Sequence, residues 1–243
     1  MTNNTTFKDI DTVYCAGCSY GLINKLIAET IDVLGLREKT IIVNSQGCTS
    51  FGSDYLNVDF IEAPAGMATS VATGLKKVYP EKIIITYQGD GDLLFSGMDS
   101  LIHTASRGEK ITTFLINNLN MANIGGYMSP TSIVGQVTKT TPYSRSIDKN
   151  GKQIKISEII SRLQGSAFVA RVSTDNNERM AIARKTIEEA LLFQIEGKGF
   201  TFIEFLAMCP TYWNKSPVDS RKWVQETLIH QFPVSTIKRT LSK

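Results

Sequence analysis

Six short runs of the chain are almost continuously apolar: TIIVNS (40–45), VDFIE (58–62), KIIITYQ (82–88), ITTFLIN (111–117), AFVARV (167–172) and FTFIEFL (200–206). Unbroken rather than alternating hydrophobicity over so few residues predicts strands buried on both faces, as in a parallel sheet. Between them apolar residues return every three or four positions. This period predicts helices in GLINKLIAETIDVLG (21–35), GMATSVATGLKKVY (66–79), FSGMDSLIHTASRG (95–108) and NERMAIARKTIEEALLFQIEG (177–197). The βαβ alternation predicts a doubly wound, mostly parallel α/β sheet with helices on both faces. Its 243 residues suit one large domain over 1–243, and no internal repeat is visible. Ligands of such sheets bind beyond the carboxyl ends of the strands.

Two stretches break the pattern. Residues 117–145 are rich in Asn, Gly, Ser, Thr and Pro, and residues 209–223 read as turn-like; long loops in compact domains are usually functional or mobile. RSIDKNGKQIKISE (145–158) carries charge around a D-K-N-G turn. A hairpin is expected there, with a surface for docking a partner as the alternative.

Bulk properties add little. A net charge of +3 and a pI near 8.6, with acids and bases interspersed, point to neither nucleic acid nor membrane. The N-terminus lacks a basic region followed by an apolar stretch, and no segment reaches the length of an apolar span. The expectation is a soluble cytoplasmic protein. Four cysteines in a long chain without a secretion signal favour metal ligation or plain burial over disulfides.

The candidate chemistry gathers where the third run ends, in YQGDGD. Asp90 and Asp92 stand close together, with Gly89 and Gly91 flanking the first, and neighbouring carboxylates repel unless something positive lies beside them. The glycines let backbone approach a phosphate, and the following helix start offers free N–H groups, so the turn reads as a diphosphate cradle. One strand later comes N-N-L-N. A Mg2+ ion shared with a diphosphate wants oxygen ligands: Asp90 offers a carboxylate, Asn118 an amide oxygen and Asn120 its main-chain carbonyl. A simple turn is the competing reading of G-D-G alone. Cys15 and Cys18 form C-x-x-C, while Cys48 and Cys209 each follow a predicted strand. Four converging thiolates suit structural zinc or an iron–sulfur cluster, and the spacing does not choose between them. Burial of single cysteines and a C-x-x-C redox pair are the bland readings.

G-D-G followed after one helix and one strand by N-N resembles the thiamine diphosphate enzymes. Nearly the whole chain resembles the β subunit of a 2-oxoacid:ferredoxin oxidoreductase. The motifs are C-x-G-C, SQGCTS, GMATSVATGLKK, TYQGDGD, INN, NIGGYMSPT, GQVTKTTPY and CPTYWNKSP. The resemblance implies the thiamine diphosphate-binding fold of the diphosphate-binding type, with the C-x-x-C segment and the Cys209 loop completing a 4Fe-4S site. It implies Cys15, Cys18, Cys48 and Cys209 as cluster ligands. Gln46, Gly47, Thr49, Gly66, Gly91, Asp92 and Asn123 match coenzyme-lining positions, and Asn123 is the one carried over as catalytic. The implied reaction is oxidative decarboxylation of a 2-oxoacid with coenzyme A, electrons leaving through the cluster to ferredoxin. The family takes the glutamate facing the aminopyrimidine from another chain, so the implied partner is an α-type subunit, with γ or δ subunits of the same enzyme beside it, and this chain alone is expected to be inactive.

This sequence departs from the family pattern at Ala16, where proline is usual, and at Ala65 and Met67, where His and Arg are common. The latter pair removes two donors for an anion and points away from 2-oxoglutarate toward a less anionic 2-oxoacid. Glu62, His103 and His230 are expected to be structural or solvated, and Tyr212 and Trp213 to shield the cluster. The rival readings are a non-redox thiamine diphosphate decarboxylase subunit with structural zinc, and a catalytically silent nucleotide-binding module.

Overall fold

The computed structural model describes residues 5–240. Its strands are β1 (Thr40–Asn44), β2 (Asp59–Glu62), β3 (Ile83–Gly89), β4 (Thr112–Asn117), β5 (Asn120–Met121), β6 (Tyr127–Met128), β7 (Ser166–Ser173), β8 (Phe200–Leu206) and β9 (Ser235–Arg239). Seven of them form one sheet in the order β2-β1-β3-β4-β8-β7-β9. All its pairings are parallel except that of β7 with β9. Each apolar run read from the sequence lies in one of the six parallel strands; β1, β4, β7 and β8 are buried along their whole length.

Helices cover both faces. Tyr20–Val33 and Asn177–Ile195 pack Ile23, Ile27, Ile31, Ala183, Ile187 and Leu191 against one side. On the other, Ala68–Val78, Met98–Arg107 and Ile156–Arg162 contribute Ala68, Ala72, Leu101, Ala105, Ile156 and Ile160. The amphipathic period brings exactly those positions onto one stripe of each helix. A third cluster, with Leu119, Leu206, Val224, Leu228 and Phe232, joins the C-terminal segment to the strand tips.

The hairpin expected over 145–158 does not form. Ile147–Asn150 is a single helical turn, and the chain then runs into the helix Ile156–Arg162. Arg145 is the cause: its buried guanidinium donates to the main-chain oxygens of Ser129, Pro130, Ser132, Asn150, Gly151 and Lys152 at 2.6 to 3.2 Å. Wrapping those carbonyls around one fork leaves none of this backbone to pair as a strand. The turn-like stretch 209–223 folds as two short helices, Pro210–Trp213 and Pro217–Trp223, each started by a proline whose missing N–H is not needed there. β9 and the β5–β6 ribbon had no apolar run to betray them: β9 is a half-exposed edge, and β5 and β6 are two residues each.

At the centre of the sheet Phe114 of β4 and Phe205 of β8 meet edge-on, ring centres 5.7 Å apart and both fully buried. Phe205→Ala should lower unfolding free energy by about 3–5 kcal/mol, read from a urea titration of the cofactor-free chain.

Candidate active site

The parallel strands β1, β3, β4 and β8 all point their carboxyl ends to one edge, and the chain reverses its direction of strand addition between β1 and β3, where crevices form in such sheets. A cleft of about 210 Å3 opens there, lined by Gln46, Gly47, Cys48, Gly89, Asp90, Gly91, Asp92, Asn118, Asn120 and Asn123 among others.

β3 passes directly into helical backbone at Asp90. Gly91 is right-handed helical, and a Cβ on it would stand 2.4 Å from Cγ of Met121; it is glycine for close packing, not for an unusual dihedral. Asp90 is 1% exposed. One of its oxygens accepts from the hydroxyls of Ser129, at 2.6 Å, and Thr131. Burial raises its carboxyl from 3.8 to about 6, against the opposing effect of these two donors.

Beyond β4, Leu119 adopts a left-handed backbone, φ 62°, although it is not glycine and is fully buried. The strain is clamped. Its N–H donates to Oδ1 of Asn117 at 3.2 Å, and its carbonyl accepts from Ser132 Oγ and Gln136 Nε2. This turn directs the Asn118 amide and the Asn120 carbonyl at Asp90: one terminal atom of that amide lies 3.0 Å from Oδ1 of Asp90 and 2.7 Å from the main-chain oxygen of Asn120. With nitrogen in that place it donates to both. With oxygen there, three oxygens converge without a proton between them, which is the donor set a hard divalent cation requires.

Asp92 faces a different way. It accepts from the main-chain N–H of Gly66 at 2.7 Å, from Nε2 of Gln88 at 2.7 Å and from the hydroxyl of Ser45. Burial raises its carboxyl too. The two aspartates therefore avoid mutual repulsion by dividing their tasks: Asp90 looks to the amide turn, Asp92 ties three segments together. Gly66, with φ +76°, must be glycine, because a Cβ would sit 2.4 Å from the carbonyl carbon of Ser96. It does not line the cleft, and neither does the buried Thr49. The hydroxyl of Thr49, with Oδ1 of Asn44 and Oε1 of Gln88, is buried without a hydrogen-bond partner, leaving unpartnered polar atoms at the strand tips where a bound group would sit.

The cysteines gather at the same edge. Cys15 is exposed, Cys18 and Cys48 half-buried, Cys209 buried. The N–H of Cys18 donates to the Cys15 carbonyl at 3.0 Å, and the Met208 N–H donates to Ser19 Oγ at 2.9 Å, holding the segments that bear Cys18 and Cys209 together. Burial pushes the Cys18 thiol up to about 12 and that of Cys48 to about 11, with the other three cysteines near enough to Cys18 to add to the effect. Sγ of Cys209 lies 3.9 Å from Oδ1 of Asn120, so sulfur and cation turn are neighbours. Nε1 of Trp213 donates to the Asn118 carbonyl at 3.0 Å, and its ring packs on Trp223 with centres 4.5 Å apart. Glu62, His103 and His230 are exposed and outside the cleft.

Several participants were not foreseen: Ser129 and Thr131 on Asp90, Ser45 and Gln88 on Asp92, the strained Leu119 and the Trp213 donor. The polar, turn-rich composition of 117–145 was the one signal for the first pair. Ser45 and Gln88 sit at the ends of apolar strands with nothing local to mark them.

The thiamine pyrophosphate enzyme C-terminal TPP-binding domain matches residues 44–205. The ketoisovalerate oxidoreductase subunit VorA of Methanothermobacter thermautotrophicus is 36% identical over 227 residues, 93% of this chain and 48% of that protein. The 2-oxoglutarate synthase subunit KorB of Methanocaldococcus jannaschii is 31% identical over 224 residues, 90% of this chain and 78% of its own. The chain thus spans about half the length of the VorA relatives it matches. Among solved structures, the 2-oxoglutarate:ferredoxin oxidoreductase from Magnetococcus marinus with 2-oxoglutarate, coenzyme A and succinyl-CoA bound shares the fold. Its TM-score is 0.80 at 22% identity, covering 100% of this chain and 87% of that one.

A carboxyl whose folded value lies above its unfolded one destabilises the fold as pH rises through that interval, here from 3.8 to about 6. Asp90→Asn, neutral at all pH and still able to accept from both hydroxyls, should therefore stabilise the cation-free chain above pH 6 by on the order of 2–3 kcal/mol. Below pH 4 the gain should vanish. Denaturant titrations at the two pH values test both.

Proposed function

This chain belongs to the thiamine pyrophosphate enzyme family, with the β-type subunits of 2-oxoacid:ferredoxin oxidoreductases as its relatives, and we propose from that premise that it is the coenzyme-carrying and cluster-carrying subunit of such an enzyme. The observation that carries the proposal is the convergence of Asp90, Asn118 and the Asn120 carbonyl at a cleft that Cys48 also lines.

Asp90, Asn118 and the carbonyl of Asn120 would hold Mg2+, and the helical N–H groups after Gly89 and Gly91 the diphosphate. Gln46, Gly47, Asp92 and Asn123 would border the coenzyme, with Thr49 and Gly66 supporting the cleft from behind its walls. Gln46 and Asn123 are exposed and free to meet a ligand, Asn123 as the residue proposed to act on the substrate, whereas Asp92 and Gly66 act by fixing the loop that carries Ala65. Cys15, Cys18, Cys48 and Cys209 would hold a 4Fe-4S cluster. Thiamine diphosphate supplies the electron sink that decarboxylation of a 2-oxoacid needs, and the cluster a one-electron outlet to ferredoxin while coenzyme A takes the acyl group. Among the described residues no three of His, Cys, Asp and Glu are close enough to hold a single metal ion.

Among the described residues no lysine or arginine lines the cleft; Ala65, Phe95, Met121 and Ile124 do. Met67 packs into the core beside the helix Ala68–Val78. Such walls suit a 2-oxoacid with one carboxylate and an apolar tail, of the ketoisovalerate type, over 2-oxoglutarate. Phe95 and Ile124 stand exposed at the rim, a surface an α-type subunit supplying the missing glutamate would cover. No described helix is long and apolar enough to cross a membrane.

Three measurements test this reading. The purified chain should be brown, with iron and acid-labile sulfide, and colourless protein with zinc would favour the decarboxylase reading. Asp90→Ala should weaken Mg2+-dependent thiamine diphosphate binding by about 10–100-fold in calorimetry; unchanged binding would favour a silent module. Turnover should require the α-type partner and prefer 2-oxoisovalerate to 2-oxoglutarate, so substantial turnover by this chain alone would count against the proposal.

A further inference from the structure

Two charges lie in the middle of the apolar sheet. Arg171 of β7 and Glu204 of β8 are directly paired across the strands, 1% and 0% exposed, and Nε of the arginine donates to Oε2 of the glutamate at 2.8 Å. Arg171 also reaches both oxygens of the half-exposed Glu158, at 2.6 and 3.0 Å, the Pro233 carbonyl at 3.1 Å and the face of Phe232. Glu204 accepts in addition from the hydroxyl of Ser157. Its other oxygen, Oε1, accepts from Nδ2 of Asn117 at 2.7 Å.

A buried ion pair inside a sheet is weak support for stability, since apolar residues of the same volume serve as well. Its direction of hydrogen bonding is more informative. With Nδ2 of Asn117 donating to Oε1 of Glu204, the Asn117 amide presents nitrogen to Glu204 and oxygen to the other side. That oxygen accepts the N–H of Leu119, the residue whose left-handed backbone turns Asn118 and Asn120 toward Asp90. We infer that Glu204 is a positioning residue for the cation-binding turn: held in orientation by Arg171 and Ser157, it fixes the Asn117 amide so that Leu119 stays left-handed and three oxygens stay convergent. The inference rests on the proposal that Asp90, Asn118 and Asn120 bind a divalent cation.

Two matched double variants isolate the acceptor. Arg171→Met with Glu204→Gln, and Arg171→Met with Glu204→Leu, both remove the buried charges, but only the glutamine keeps an oxygen for Asn117. The full chain with thiamine diphosphate is titrated with Mn2+, free ion being read by electron paramagnetic resonance. The glutamine variant should bind within about threefold of wild type and the leucine variant about 10–100-fold more weakly. In the cation-free proteins the indole N–H resonance of Trp213, whose proton sits on the Asn118 carbonyl, should stay in place in the first and move in the second. Wild-type Mn2+ affinity in the leucine variant overturns the inference.

Glu158→Gln separates positioning from general rigidity. It weakens the same arginine from the outside without touching Asn117, so melting temperature should fall and Mn2+ affinity should hold; a loss as large as the leucine variant's overturns the inference. If the leucine variant does not fold, the single Glu204→Gln decides. Its oxygen is drawn to the charged Arg171, leaving a donor against Asn117, and affinity should drop about tenfold; wild-type affinity there is equally fatal. Failure of wild type itself to bind Mn2+ would sink the cation reading instead, and the Trp213 resonance would then decide alone whether Glu204 holds the turn.

Discussion

A carboxylate sealed among strand tips, in a cleft lined by no cationic side chain among the described residues, is the constraint around which this edge of the sheet is organised. Removing a carboxyl from water penalises its charged form, and Asp90 shows that penalty in a value raised to about 6. The chain answers with hydroxyls on one oxygen and with the terminal amide of Asn118, not a lysine or arginine of the described residues, near the other. Oxygen against oxygen is unfavourable alone and favourable around a hard divalent ion. In the proposed function, the same feature that weakens the cation-free fold would favour such an ion at this site.

Keeping the Asp90 carboxylate, the Asn118 amide and the Asn120 carbonyl together requires segments remote in sequence to hold still. Leu119 is held in a conformation that non-glycine residues avoid, by bonds from both sides. The segment bearing Ser129 and Thr131 is anchored by Arg145 through main-chain oxygens, and the loop at Gly66 by Asp92. The two buried arginines work differently. Arg171 is matched to carboxylates, whereas Arg145 spends its donors on carbonyls and so shapes backbone that has no regular structure of its own.

The sulfur side of the site is joined to the oxygen side through single residues. Asn120 offers its main-chain oxygen toward Asp90 and its side-chain oxygen toward Cys209. Trp213, four residues beyond Cys209, binds the Asn118 carbonyl. In the proposed function this adjacency is what allows electrons released at the coenzyme to leave through the cluster instead of returning to the substrate.

The strands, the four main helices and the G-D-G to N-N spacing were legible from the sequence because each is written in local order: an unbroken apolar run, a three-to-four repeat, a short motif. Asp90, Asn118, Asn120 and the cysteines could be named on that basis, and the parallel architecture brings their positions to one edge. Packing alone decided which way each aspartate points, which hydroxyls meet Asp90, why 145–158 is not a hairpin, and that charges inside AFVARV and FTFIEFL form a pair beneath the turn. The Asp92–Gly66, Asp90–Ser129, Arg171–Glu204 and Asn117–Glu204 contacts join residues 26 to 87 positions apart, and hydrogen-bond direction between such partners is fixed only when the backbone has brought donor and acceptor face to face.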